Sequence, residues 1–496
     1  MQTLDITVLV VYIALVVGVG VWFAKRSHTS EGFMKAGGRL PSWVVGLSLF
    51  GTFLSSNTFI GVPGKAYAGN WNAFVFSLSI PIAVLIAVRF FVKFYRNSGE
   101  ISAYEHLEKR FGLWARIYAV VCYLLTQVSR SATIMLGVAI GLQQVTGWSL
   151  PTIILVSGIL VTAYTLIGGI EAVIWTDAIQ SVVLAVGALL VIGILIFKHP
   201  EGASAAFSIA KDADKFSLGS WSVTDFASST AWVVLIFGLF INLTNFGIDQ
   251  NYIQRYHAAE SEAAAKRSLW IGAILYVPAS LMFFIIGSLL FSFYQTSPEE
   301  IAAIQEMAGD RKFEDSILPH FMANHLPPGV GGLILAALAA AAMSTIDTSL
   351  NSSATITLRD LWGRLIRGGK DVGEVESMKV LRWSTIFWGI LGTGTALFLT
   401  NDAANILDIW WKLSGIFAGG MLGLFLLGLI VKRAGNPAAV TGVVVGLIVI
   451  FWLSSADREW MPDHLKSMLH GNLTIVIGTL SIFLVGLLVS RFQKAS

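Results

Sequence analysis

The sequence predicts an all-α integral membrane protein of about thirteen transmembrane helices. Three observations carry that reading. First, 55% of the 496 residues are apolar and only 13% are charged, about half the usual ~25% of soluble proteins, and the mean hydropathy is +0.72. A soluble fold has too little interior to hide that much apolar surface, so the solvent is largely lipid. Second, apolar runs long enough to cross a hydrocarbon core, about 20 residues as helix, recur from end to end. Third, these runs do not alternate apolar and polar residues as barrel strands do, and a helix satisfies its own backbone in lipid. A net charge of only +3 gives no argument for an acidic partner. The composition excludes a disordered chain, a nucleic-acid binder and an ordinary cytosolic enzyme. The single cysteine, Cys122, lies in an apolar run, which excludes an intrachain disulfide and a thiolate metal site.

The spans fall at 5–24, 42–68, 72–95, 115–146, 149–168, 172–197, 229–252, 268–294, 329–352, 383–400, 403–431, 437–455 and 471–490. Asp5 precedes the first run and the pair Lys25–Arg26 follows it, the reverse of a cleavable signal. One set of connections carries Lys25, Arg26, Lys35, Arg39, Lys93, Arg96, Lys109, Arg110, Arg255, Lys266 and Arg267. It continues with Arg359, Arg364, Arg367, Lys370, Lys379, Lys432, Arg433, Arg491 and Lys494. The alternating set has only Lys198, Lys211, Lys215, Arg311, Lys312, Arg458 and Lys466. Positive residues stay inside, so the N-terminus is expected outside and the C-terminus in the cytoplasm. Loops 198–228 and 295–328 are then external.

No loop is long enough for a separate domain of typical size, and no GxxxxGK[ST] phosphate loop occurs, which excludes a pump with its own ATPase. A single transport domain over 1–496 fits a secondary transporter. The alternatives are a channel or a membrane-embedded enzyme. No histidine joins a mid-span cluster, so the expectation is that the protein is not an enzyme.

Two spans are interrupted. The second, VVGLSLFGTFLSSNTFIGVPGKAYAGNW, holds Gly51, Thr52, Ser55, Ser56, Asn57, Thr58, Gly61 and Pro63. Proline and glycine weaken a helix, and unwound backbone at membrane depth survives only inside protein or beside a wet cavity. The seventh, STAWVVLIFGLFINLTNFGIDQNYIQRY, holds Asn242, Thr244, Asn245, Gly247, Asp249 and Gln250. Each opens a run of five spans, 42–197 and 229–431, with 5–24 before them and 437–490 after them. Five is odd, so the two runs have opposite topology. Interrupted helices in matching places of two inverted halves point to a midplane substrate site. The plainer reading is close helix packing by small residues.

The ninth span contains MSTIDTSLNSSAT, where Ser344, Asp347 and Thr348 share one helical face and Thr345 is one step round. Such oxygen ligands suit a small hard cation; the alternative is serine-rich packing. Asp177 is the other deep carboxylate, functional by default unless it snorkels near a helix end. Arg130, well inside the fourth span, needs an anion. That anion is a ligand, Asp177 or Asp347, or helix-end carbonyls stand in for it. Lys412 either does the same or snorkels. Trp410 and Trp411 offer apolar faces to a sugar ring, or to core or lipid.

The segments FLSSNTFIGVPGKAYAGNW, GGIEAVIWTDAIQ, DQNYIQRY, MSTIDTSLNSSAT and GMLGLFLLGLIVKRA, in that order, resemble the sodium/solute symporters, over nearly the whole chain. Within that family the bacterial sialic acid symporters look closest, and the sodium–glucose cotransporters stand further off. The resemblance implies the leucine-transporter fold, two inverted five-helix repeats with flanking helices, in a bacterial inner membrane. It implies a monomer that couples Na+ to uptake of a small polar solute, most closely a carboxylated sugar such as sialic acid. The alternative is a neutral sugar or polyol.

By position, the resemblance puts one sodium site on carbonyls of Gly51, Leu54 and Ala341 with hydroxyls of Ser344 and Thr345. A second maps onto Asp177, Ser344, Asp347 and Thr348, where Asp347 departs from an expected serine. It puts a substrate carboxylate on Ser55, Thr58 and Arg130. A glutamine of those relatives falls on Ser77, and an eleventh-span polar residue on Trp411. Against the sugar transporters, the outer glutamines fall on Thr58 and Trp411 and the inner-gate tyrosine on Asn245. Phe53, Asn57, Asn242 and Phe246 complete the expected substrate lining.

Overall fold

The computed structural model describes residues 3–24, 29–309, 312–400, 404–456 and 458–493. Lys25, Arg26, Arg311 and Lys494 of the loop-charge count, and the first residue of the span drawn at 403–431, lie outside the described residues. The described residues are helical with a single isolated bridge, Leu40 to Ala259. Ten of their helices are long and apolar enough to cross a membrane, or eleven if the bent pair Ser42–Phe53 and Asn57–Ala68 is one span. The run drawn at 149–168 appears as the shorter apolar helix Leu150–Ala163. The run drawn at 383–400 is the apolar part of helix Glu374–Leu399, whose first turns carry Glu374 and Glu376. Large apolar side chains lie bare on the outside: Ile159 is 67% exposed and Phe398 83%. Water would reject such a surface and lipid does not.

Helix Val330–Ile356 is buried almost end to end. It packs against Leu150–Phe197, Leu113–Thr146, Thr3–Ala24 and Ser42–Phe53. The first helix does more than flank it. Asp5 accepts from the amides of Gly329 at 2.8 Å and Gly332 at 2.9 Å, an anion placed at the helix N-terminus where the dipole favours it. The fifth and sixth spans form one helical run, Leu150–Phe197, broken only at Gly169 with φ 59°. A Cβ there would meet the Phe33 backbone at 3.1 Å, so both the positive φ and the contact require glycine.

Both interrupted spans are broken at their polar centres. Ser42–Phe53 ends at Leu54 (φ −87°, ψ 84°), the chain resumes as a π-turn at Asn57–Gly61, and Val62–Ala68 follows with Pro63 in its first turn. The two halves meet at 54°. Ala231–Ile248 ends at Asp249 (φ −81°, ψ 121°), whose side chain caps the next helix, Gln250–Ala258, by accepting from the Asn251 amide at 2.8 Å. Lys215, counted as a loop charge, is folded down onto the Tyr67–Gly69 end of the second span. Its Nζ donates to the carbonyls of Tyr67 at 2.6 Å and Gly69 at 2.9 Å, and burial lowers its pKa.

Candidate functional site

The break in the second span and the hydroxyl-rich face of the ninth helix meet. Ser344 Oγ lies 3.5 Å from the Gly51 carbonyl and 3.3 Å from that of Ala341, and Thr345 Oγ1 donates to Ala341 at 3.1 Å. Leu54 is fully buried and non-helical, so its carbonyl is not committed to the regular helical ladder. A Cβ on Gly51 would meet Ser181 Oγ at 2.6 Å and the Asp177 carbonyl at 3.3 Å, so a larger residue would have to displace that hydroxyl.

One turn further along the ninth helix lies a buried charge cluster. Asp177 and Arg255 are both fully buried and paired at 2.8 Å. Arg255 also donates to Ser48 Oγ, the Asn251 carbonyl and Thr348 Oγ1, each at 2.9 Å. Ser48 donates to Asp177 Oδ2 at 2.6 Å. Asp347 Oδ1 accepts from the Thr348 amide at 2.6 Å. Asp177 Oδ1 and Asp347 Oδ2 are buried without a hydrogen-bond partner. Two carboxylates thus face one guanidinium, and each keeps one oxygen unsatisfied. The reading of Arg255 as a loop charge is corrected: it is 0% exposed, held at depth because its partner carboxylate is there.

On the other side of the second-span break is a cavity of about 80 Å³. Of the expected substrate residues, Phe53, Ser55, Asn57, Thr58, Ser77, Arg130, Asn245 and Trp411 line it. Asn242 and Phe246 do not. Asn242 turns to Ser79 Oγ at 3.1 Å and to the Gly238 carbonyl at 2.8 Å, so its amide ties the seventh helix to the third. Phe246 is 1% exposed and stacks edge-on with Phe53 and Tyr252. Asn57 reaches Thr133 at 3.1 Å, and Ser77 bonds Ser280 at 2.7 Å. Trp411 stacks on Phe76 at 5.7 Å and takes the Lys65 ammonium over its ring at 5.2 Å. Lys412 is exposed.

Arg130 lies neither with Asp177 nor with Asp347. Its Nη1 is 3.7 Å from Asp249 Oδ2, beyond hydrogen-bond reach, and has no hydrogen-bond partner. The guanidinium lies over the Trp410 ring at 5.2 Å. It is a desolvated cation at a cavity wall with donor capacity to spare. Asp249, Arg255, Ser48, Tyr252 and Tyr276 were missed as site residues. The signal for the first two was present in DQNYIQRY, a run with an acid and a base six residues apart beside an interrupted span. Tyr252 and Tyr276 stack on Phe53 at 5.5 and 5.1 Å and carry no pattern a sequence would reveal.

The profile of the sodium:solute symporter family matches residues 33–446. The chain is 35% identical over 498 residues to the sodium/sialic acid symporter NanT of Aliivibrio fischeri, covering 99% of this chain and 94% of that one. It is 36% identical over 488 residues to the sodium/sialic acid symporter SiaT of Proteus mirabilis, covering 97% and 94%. Among solved structures, a substrate-bound, outward-open Na+-coupled sialic acid symporter superposes with a TM-score of 0.89 at 33% identity, covering 100% of this chain and 99% of that one. Mhp1, a nucleobase-cation-symport-1 transporter, superposes at 0.60 with 14% identity, covering 94% and 95%, which speaks for the fold alone. The architecture is that of the leucine-transporter fold. By profile and by relatives alike, the chain belongs to the sodium:solute symporter family, whose members are transporters and not enzymes.

Proposed function

We propose that this protein is a Na+-driven importer of a carboxylated sugar of the sialic acid type, working by alternating access as a monomer in a bacterial inner membrane. One observation carries the substrate class: Arg130, a buried guanidinium with an unpartnered nitrogen at the wall of the cavity. A carboxylate entering there would take a planar two-point hydrogen bond, with Ser55 and Thr58 beside it. The two relatives named as sodium/sialic acid symporters support the acidic sugar over a neutral one.

The first sodium site comprises the Gly51, Leu54 and Ala341 carbonyls with Ser344 and Thr345. Uncharged oxygens hold a monovalent ion loosely enough to release it. The second comprises Asp177, Ser344, Asp347 and Thr348. Its support is the charge balance: with both carboxylates ionised, Asp177 and Asp347 against Arg255 leave one negative charge in the interior. A bound Na+ cancels that charge, and burying it uncompensated is costly. The moving parts are two inverted repeats, 42–197 and 229–431, with the N-terminus outside and the C-terminus in the cytoplasm.

The test is uptake of labelled sialic acid into proteoliposomes. An inward Na+ gradient should drive accumulation, choline should abolish it, and excess of the neutral amide analogue should compete poorly. Uptake indifferent to Na+, or equal competition by acid and amide, overturns the reading.

A further inference from the structure

Between the eighth and ninth spans the chain forms two short helices, Pro298–Ala308 and Glu314–Asn324. Glu300 of the first, His320 of the second and His325 at the second's C-cap converge, and one donor atom of each lies within 4.8 Å of the others. His325 Nε2 is 2.8 Å from Glu300 Oε2, and His320 Nδ1 is 3.8 Å from the same oxygen. With metal–ligand bonds of ~2.0–2.1 Å, two ligands on a tetrahedral zinc stand roughly 3.3 Å apart. The two measured edges bracket that value, so small side-chain shifts would seat an ion.

Two imidazoles and one carboxylate are a common protein set for zinc with a fourth position open to water. Imidazole-rich donors favour zinc, nickel or copper over magnesium. The Tyr294 hydroxyl meets His320 Nδ1 at 2.8 Å, so it gives up that nitrogen when the metal takes it, and Lys198 Nζ holds the His325 backbone carbonyl at 3.0 Å.

We infer that Glu300, His320 and His325 form a binding site for a divalent transition metal of the zinc class, and that the metal clamps helix Glu314–Asn324. That helix packs against Asn57–Gly61 and Val62–Ala68, the part of the second span after its break, and against Leu113–Thr146. Its Asp315 accepts from Asn405 Nδ2 at 2.6 Å and from the Ile406 amide at 2.9 Å. It therefore touches the start of the helix that carries Trp410 and Trp411. A metal joining it to Pro298–Ala308 would hold this layer of the cavity in one place, so occupancy slows the cycle without touching the cavity.

The experiment is a calorimetric titration of the purified full chain with zinc, and with magnesium as a contrast. One saturable zinc site and no magnesium binding are expected. His325→Gln and Glu300→Gln should each weaken zinc at least tenfold, since even outer partners of a metal cost ~10–100-fold. His464→Gln, on an exposed stretch, should leave the titration unchanged. The melting temperature should rise with zinc in the wild type and stay flat in Glu300→Gln, a reading independent of transport. Absence of saturable zinc binding, or binding that survives His325→Gln and Glu300→Gln together, overturns the site. Zinc that binds but leaves uptake by the wild type unchanged overturns the clamp.

Discussion

Two arginines lie buried at the heart of this molecule, each facing a carboxylate, and they are built differently. Arg255 meets Asp177 at 2.8 Å and spends its other donors on Ser48, Asn251 and Thr348. Arg130 stands 3.7 Å from Asp249 and keeps an unpartnered nitrogen beside the cavity and the Trp410 ring. The first has a partner on every nitrogen, away from the cavity, and holds four elements together. The second is buried at the cavity wall but incomplete. A guanidinium bonded at every nitrogen has little to offer a solute, whereas an incomplete one gains a partner when an anion binds. On the function proposed above, the contrast separates a structural cation from a recognition cation on the same chain.

The largest break in that contrast should come from Arg255→Met. It strands Asp177 in the interior, at a cost of ~3–5 kcal/mol. A sharp fall in melting temperature in detergent is expected, partly reversed when Asp177→Leu is added. A stable single variant would mean that Arg255 is not the structural member of the pair. Next is Arg130→Ala, which should fold and yet lose ~2–5 kcal/mol of affinity for an acidic sugar, with the preference over the neutral amide gone. Arg130→Lys should rescue only part, because an ammonium cannot make the planar fork. Equal binding of acid and amide by the wild type would remove Arg130 from recognition.

Asp347→Asn sharpens the reading of the charge cluster. Apparent Na+ affinity should fall roughly tenfold, or ~1.4 kcal/mol, with a lower Hill slope for sodium. An asparagine variant that loses pH dependence and keeps its sodium response would make Asp347 a proton site instead. Smaller still, Ser55→Ala and Thr58→Ala should each cost about 0.5–1.5 kcal/mol of binding, the worth of a neutral hydrogen bond. The orientation is tested by labelling. Lys211 and Gln305, both exposed, are the places for single cysteines in a Cys122→Ser background. An impermeant thiol reagent should reach both from outside, and protection until lysis would reverse the topology.

Much of this was legible beforehand, for local reasons. The apolar runs place most of the helices, since length and hydropathy are properties of contiguous residues. The unwound points follow from Pro63 with its neighbouring glycines and from the polar end of the seventh span, because a break needs only a residue that helps the backbone leave the helix. The shared face of Ser344, Asp347 and Thr348 follows from helical periodicity. The failures are of another kind. Arg255 read as a loop charge because it follows an apolar run, and Asn242 and Phe246 read as cavity-lining because they neighbour Asn245. Helix rotation turns Asn242 to Ser79 and Phe246 to Tyr252, and no window on one segment records how it is rotated against another.

The sequence by itself determined a lipid-dissolved helical chain, its two unwound spans and the set of polar groups carried into the bilayer, because each is written within a few turns of helix. Only the tertiary structure decided which acid answers which base. Asp177 and Arg255 lie 78 residues apart and meet because the sixth, seventh and ninth spans pack together. Asp249 caps Gln250–Ala258 through Oδ1 and leaves Oδ2 3.7 Å from Arg130. Pairing of buried charges is set by distance in space at low dielectric, and that distance exists only once the helices have packed.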